Sequence, residues 1–253
     1  MTEYLILSSA AFFAGLIDAV VGGGGLINVP ALFSIYPVGI PATLLGTNKL
    51  AGIWGTAAAA VNYARAVSVR WSMALPASVG ALCFSFIGAY TVTHIPPGFL
   101  RKCLPLILLA VAIYTFRRKN FGQDHIPRYS GYTEFALSFL AGAGIGFYDG
   151  FFGPGTGSFL IFIFVRFFGL DFLRASAISK IVNVACNAAA LCLFGFGGHV
   201  MWRIGCTMAV FGVLGSLVGS RLAIQKGSVF VRQLFLAVVS ILIVKTSYDA
   251  FFH

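Results

Sequence analysis

Asp18-Ala-Val-Val-Gly22-Gly-Gly24 is answered further along the chain by Asp149-Gly-Phe-Phe-Gly153-Pro-Gly155, an offset of 131 residues. The same offset carries Lys49 onto Lys180, Trp71 onto Trp202, Gly88 onto Gly219 and Arg101 onto Arg232. Ala57-Ala-Ala59 maps onto Ala188-Ala-Ala190, Ala10 onto Ala141 and Thr2-Glu3 onto Thr133-Glu134, so one unit is duplicated from end to end without a gap. Each copy is apolar and is interrupted once by glycines. In a membrane, such an interruption exposes backbone groups that only packed protein or a ligand can satisfy.

The composition supplies the membrane. Of 253 residues, 59% are hydrophobic and 9% charged, against about 25% charged in a soluble domain. The net charge of +10 sits in short loops between apolar runs, where basic residues set topology and meet anionic lipid. Nucleic-acid binding is not expected. Cys83, Cys103, Cys186, Cys192 and Cys206 lie mostly in apolar stretches with no CxxC, and the four His are scattered. They predict packing, with no metal site and no cofactor. No Ser/His or Cys/His pairing at useful spacing suggests an enzyme. The first Lys or Arg is Lys49, so the first apolar run lacks the basic start of a secretory signal and reads as mature protein.

Eight apolar blocks follow: 4–36, 43–64, 72–93, 99–116, 133–167, 175–198, 201–224 and 229–252. Six approach the roughly 20 residues that a spanning helix needs. The first and fifth are longer and carry the glycine clusters. Leaving out Lys49 and Lys180, which lie inside apolar runs, 15 basic residues remain. If the long blocks cross once, the two faces carry 8 and 7 of them; if each is a hairpin that returns, the split is 11 to 4. The positive-inside rule selects the hairpins. The expected fold is an all-α integral membrane protein of two inverted-topology repeats. Each repeat is a glycine-broken helical hairpin plus three transmembrane helices. Residues 1–116 form the first repeat, 117–131 a basic cytoplasmic linker and 132–253 the second, inverted repeat, with both termini outside.

The breaks and the polar residues beside them are the candidate site. Four consecutive glycines, Gly22-Gly23-Gly24-Gly25, exceed what close helix packing requires, and Pro154 bars a continuous helix in the second copy. One helix should stop near 18–21 and another start near Leu26, its free N–H groups and positive dipole end favouring an anion. Asn28, Thr156 and Ser158 start the second arms. Lys180, Asn183 and Asn187 share one helical face with Ser176, and Lys49 shares a weaker one with Gly52 and Thr56, just after Thr47 and Asn48. Either lysine could instead snorkel to the interface. Asp18 and Asp149 end the first arms, where the helix dipole disfavours them. Lys49 and Lys180 are the basic partners available at depth. Such a pair is either structural or a gate that couples transport to a proton gradient.

Gly15-Leu-Ile-Asp18-Ala-Val-Val-Gly22-Gly-Gly-Gly25 with Gly46-Thr-Asn-Lys49 resembles the first half of the sulfite exporter TauE/SafE family. Gly146-Phe-Tyr-Asp149-Gly-Phe-Phe-Gly153-Pro-Gly-Thr-Gly157 with Ala175-Ser-Ala-Ile-Ser-Lys180 resembles the second. The resemblance implies a multi-pass permease of a bacterial-type inner membrane that moves a small sulfur-containing anion, such as sulfite or an organosulfonate. An exporter working by alternating access of one repeat against the other is expected. An uncoupled small-anion channel is the alternative. The anion would be held by Gly23, Gly24, Gly25, Asn28, Thr47, Asn48 and Lys49 from the first copy. From the second, Gly155, Thr156, Gly157, Ser158, Ser179, Lys180, Asn183 and Asn187 would hold it. Asp18 and Asp149 would gate or carry protons. The expected partners are the anion and membrane lipid, with H⁺ or Na⁺ as coupling ion and a homodimer as a possible assembly.

Overall fold

A computed structural model describes residues 2–93 and 125–252. Block 99–116, most of the 117–131 linker, His94, Arg101 and Cys103 lie outside the described residues. Within them the chain is all helical, with no strand. In the first copy α1 (Thr2–Val21) and α2 (Gly25–Ile35) flank the glycine break, followed by α3 (Pro41–Ala66) and α4 (Trp71–Val92). In the second, α5 (Gly131–Phe151) and α6 (Thr156–Arg166) flank the break, followed by α7 (Phe172–Phe196) and α8 (Trp202–Phe252). The expected spans 201–224 and 229–252 meet at Gly227, whose φ of 79° turns α8. Among the described residues, four segments are long and apolar enough to cross a membrane: α1, α4, α7 and Trp202–Leu234. Leu75, Val79, Leu82 and Phe86 form an exposed stripe down α4, and Val210, Leu214 and Val218 another on α8. Exposed apolar surface of that extent belongs against lipid. Trp71 and Trp202 open α4 and α8 and are both exposed.

The long blocks are hairpins. α2 doubles back along α1, so that the Tyr36 hydroxyl donates to Glu3 at 3.1 Å. α6 doubles back along α5, where the Arg128 N–H reaches the Phe168 carbonyl at 3.1 Å. The linker is strapped on further by the Ile126 N–H to the Gly169 carbonyl at 2.8 Å, and Gly169 (φ 75°) has no room for a Cβ beneath Ile126. Arg70 ties α4 to the same end through the Tyr129 carbonyl at 3.1 Å and the buried Glu134 carboxylate at 2.6 Å. Asp171 caps α7, accepting from the Arg174 amide at 3.0 Å, and pairs with the Arg174 side chain at 2.5 Å. His125 lies 3.7 Å from Asp171. Desolvation and the nearby Arg174 hold its imidazole below the ordinary range, Asp171 opposing them, so the ring is neutral at pH 7.

Packing between the copies is reciprocal under the 131-residue offset. Gly15 packs on Gly212 and Gly146 on Ala81; Gly219 packs on the Leu16 carbonyl and Gly88 on that of Phe147. Small residues let these backbones touch, the usual way helices associate in lipid. As a result α8 packs on α1 and α3 of the first copy, while α4 packs on α5 and α7 of the second. Each copy has exchanged its fourth helix for that of the other. α3 and α7 run antiparallel between these units. Thr47 near the start of α3 accepts from the Met201 N–H after α7 at 3.0 Å. Ser68, past the end of α3, accepts from Arg174 at the start of α7 at 3.4 Å.

A side chain at Gly142 would collide with the Ala77 backbone, whereas the Cβ direction of Gly144 is open. Gly142→Leu is expected to destabilise by about 1–3 kcal/mol through overpacking, and Gly144→Leu not at all. Thermal unfolding of the two variants in detergent checks this.

Candidate functional site

Glycine conformation makes each break. Gly22 has a φ of 80°, and Gly153 and Gly155 have φ of 90° and 87°, a region costly for residues with a Cβ. Pro154 sits between the latter two, its carbonyl accepting from the Tyr148 hydroxyl at 2.5 Å. The breaks touch one another. The Ser158 N–H donates to the Gly22 carbonyl at 3.2 Å, and its hydroxyl to the Val21 carbonyl at 2.7 Å. Gly22 and Gly157 are so close that neither has room for a methyl group.

Beside this junction stand two crossed ion pairs. Lys49 of α3 meets Asp149 of α5 at 2.5 Å, and Lys180 of α7 meets Asp18 of α1 at 3.0 Å. Each carboxylate is thus neutralised by the lysine of the other copy. Lys49 and Lys180 are 4% and 0% exposed, so neither snorkels to the interface. Lys180 also donates to the Asp18 carbonyl. A charge buried this deeply is tolerated because it is paired, and removing one member strands the other.

A cavity of about 50 Å³ opens at the junction. It has room for a few water molecules or one small ion. Its polar lining comprises Asp18, Asn28, Asn48, Lys49, Thr56, Asp149, Thr156, Asn183 and Asn187. Asn28, Asn48, Asn183 and Asn187 are all buried, at 5%, 9%, 6% and 7% exposure. None of their side chains has a hydrogen-bond partner among the described residues, and the Asn28 Oδ1 is fully enclosed. Gly25, Gly155 and Gly157 also line the cavity, and their backbone N–H groups have no partner among the described residues either. Buried polar groups are almost always satisfied, so this many unpartnered amide groups around one space make it the candidate site.

Of the residues expected from sequence, Gly24, Gly25, Asn28, Asn48, Lys49, Gly155, Thr156, Gly157, Asn183, Asn187, Asp18 and Asp149 line the cavity. Gly23, Thr47, Ser158, Ser179 and Lys180 do not. The Thr47 hydroxyl is engaged with the Thr43 carbonyl and the Met201 amide. Ser158 holds the breaks together, and Ser179 is buried with an unpartnered hydroxyl. The remaining wall was not foreseen: Ala11, Ala14, Gly15, Ala51, Gly55 and Gly212. Small residues are the only signal they carry, and that signal means tight packing as readily as open space.

The fold is that of a multi-pass helical membrane protein. The chain belongs to the sulfite exporter TauE/SafE family, whose profile matches residues 7–246. It is 40% identical over 233 residues to "Probable membrane transporter protein ORF9" of Sinorhizobium sp, covering 92% of this chain and 87% of the relative. Its identity to "Probable membrane transporter protein YfcA" of Escherichia coli K12 is 35% over 245 residues, 97% of this chain and 90% of the relative. A "Probable membrane transporter protein" of Haemophilus influenzae is 34% identical over 254 residues, with 98% and 96% covered. No solved structure matches the chain.

Lys49→Met leaves the Asp149 carboxylate buried alone and is expected to cost about 3–5 kcal/mol of stability. Adding Asp149→Leu should recover most of it, giving a large coupling energy in a double-mutant cycle. Thermal unfolding of the four proteins measures that coupling; additive losses would contradict the pairing.

Proposed function

We propose that this chain is a secondary carrier that exports a small sulfur-containing anion, sulfite or an organosulfonate. The anion is held between the two glycine breaks. The observation that carries this reading is the set of four buried, unpartnered asparagines and three idle glycine amides beside Lys49, around one cavity. Amide donors and one ammonium group suit a compact oxyanion whose oxygens each need a hydrogen bond. The family's name supports sulfite as the type substrate.

Transport requires two accesses to one site. The antiparallel run of α3 and α7, with reciprocal packing across the offset, supports an inverted pair of repeats and alternating access. The 11 to 4 distribution of basic residues supports an inner-membrane orientation with both termini outside. Asp18 and Asp149 are the groups that would couple movement to protons; Asp149 is held by Lys49, which lines the cavity and can be attracted away by a substrate anion.

Proteoliposomes carrying the chain should take up ³⁵S-labelled sulfite or sulfoacetate with saturation, and a counter-gradient should drive accumulation. Asn28→Ala should lower the rate about tenfold, the loss of one buried hydrogen-bonding group. Flux linear in concentration and indifferent to any counter-gradient would mean a channel. No flux of any sulfur anion would sink the proposal.

A further inference from the structure

The two breaks are chemically unequal. At the first, Asp18 folds back over the start of α2: its Oδ1 accepts from the Gly24 amide at 3.3 Å, and its Oδ2 from Thr56 at 3.3 Å and Lys180 at 3.0 Å. The 131-residue offset turns these four groups into Asp149, Gly155, Asn187 and Lys49. Of the three bonds, only that between Asp149 and Lys49 is made, at 2.5 Å. The Gly155 amide and the Asn187 side chain have no partner among the described residues, and both line the cavity. A place for an anion is filled from within at the first break and stands open at the second.

We propose that Asp18 is a tethered anion occupying the first half's site, and that the substrate anion takes the equivalent place at the second break. There it meets the Gly155 and Gly157 amides, Asn183 and Asn187, with Lys49 shared between it and Asp149. This rests on the reading of the cavity as an anion site. Asn28 lines the same space from the opposite arm. The duplicated chain therefore carries one substrate site, not two used in turn.

Isothermal titration of the full chain in nanodiscs with methanesulfonate tests this, sulfite and sulfate being run alongside. The wild type should bind one anion per chain. Asn187→Ala should raise Kd at least about fivefold, the loss of one hydrogen bond to a charged group. Asp18→Ala, which vacates the tethered anion's place beside Lys180, should bind two. A wild-type Kd in Asn187→Ala, or a single anion in a monodisperse Asp18→Ala protein, overturns the inference. If Asp18→Ala does not yield a monodisperse protein, Asn187→Asp decides: a second tethered carboxylate should abolish binding, and unchanged binding overturns the idea. Two anions per wild-type chain would defeat the inference alone. No binding of any of the three anions would defeat the transport reading, and the inference with it.

Discussion

A carboxylate at the broken end of a membrane helix faces two penalties at once, loss of water and an unfavourable dipole. Asp18 and Asp149 both stand there, and each is relieved by a lysine from the other copy of the duplicated unit. That exchange explains much of what surrounds it. The lysines could not be buried without the carboxylates, and the breaks could not meet unless α3 and α7 brought those lysines alongside them. Neither copy could hold its own charges in this arrangement. The chain is bound into one structure by the groups it can least afford to leave unpaired.

Once the strong charges cancel in pairs, the cavity is left with neutral donors and one ammonium group that is already shared. An arrangement of this kind can hold an anion without trapping it, since no bare cation has to be stripped of its only partner. Carboxamides add a further property: each presents a donor and an acceptor edge, so the same wall accepts ligands differing in protonation. Glycine amides give fixed donors without side-chain entropy to lose. Tight and permanent binding would defeat the proposed carrier, and neutral donors with a shared ammonium group would avoid it.

Much of this was legible in the chain. The duplication placed equivalent residues correctly, and the packing of Gly15 on Gly212 and Gly146 on Ala81 repeats it in space. The helix expected to stop at 18–21 stops at Val21, and the one expected near Leu26 begins at Gly25. Glycine runs and proline act locally, so they can be read locally. The crossing of the ion pairs was not legible, because nothing near Lys49 says that its partner lies 100 positions away in the other copy. The inequality of the two breaks was hidden for a different reason. It depends on whether a carboxylate turns onto the amide six residues ahead, and both copies have the residues to attempt it.

The exchange of fourth helices constrains how the molecule can move. The backbones of α1 and α8 touch through Gly15, Gly212, Gly215 and Gly219, and those of α4 and α5 through Gly80, Gly88, Gly142 and Gly146. Contacts at backbone distance between rigid helices resist sliding, since any shift drives a carbonyl into a glycine Cα. The units that can stay intact during motion are therefore not the sequence repeats. One combines α1, α3 and α8; the other combines α4, α5 and α7. Between them run the antiparallel α3 and α7, the crossed lysine–aspartate pairs and the cavity. If access alternates as proposed, a change at the junction of the breaks would strain those two ion pairs first.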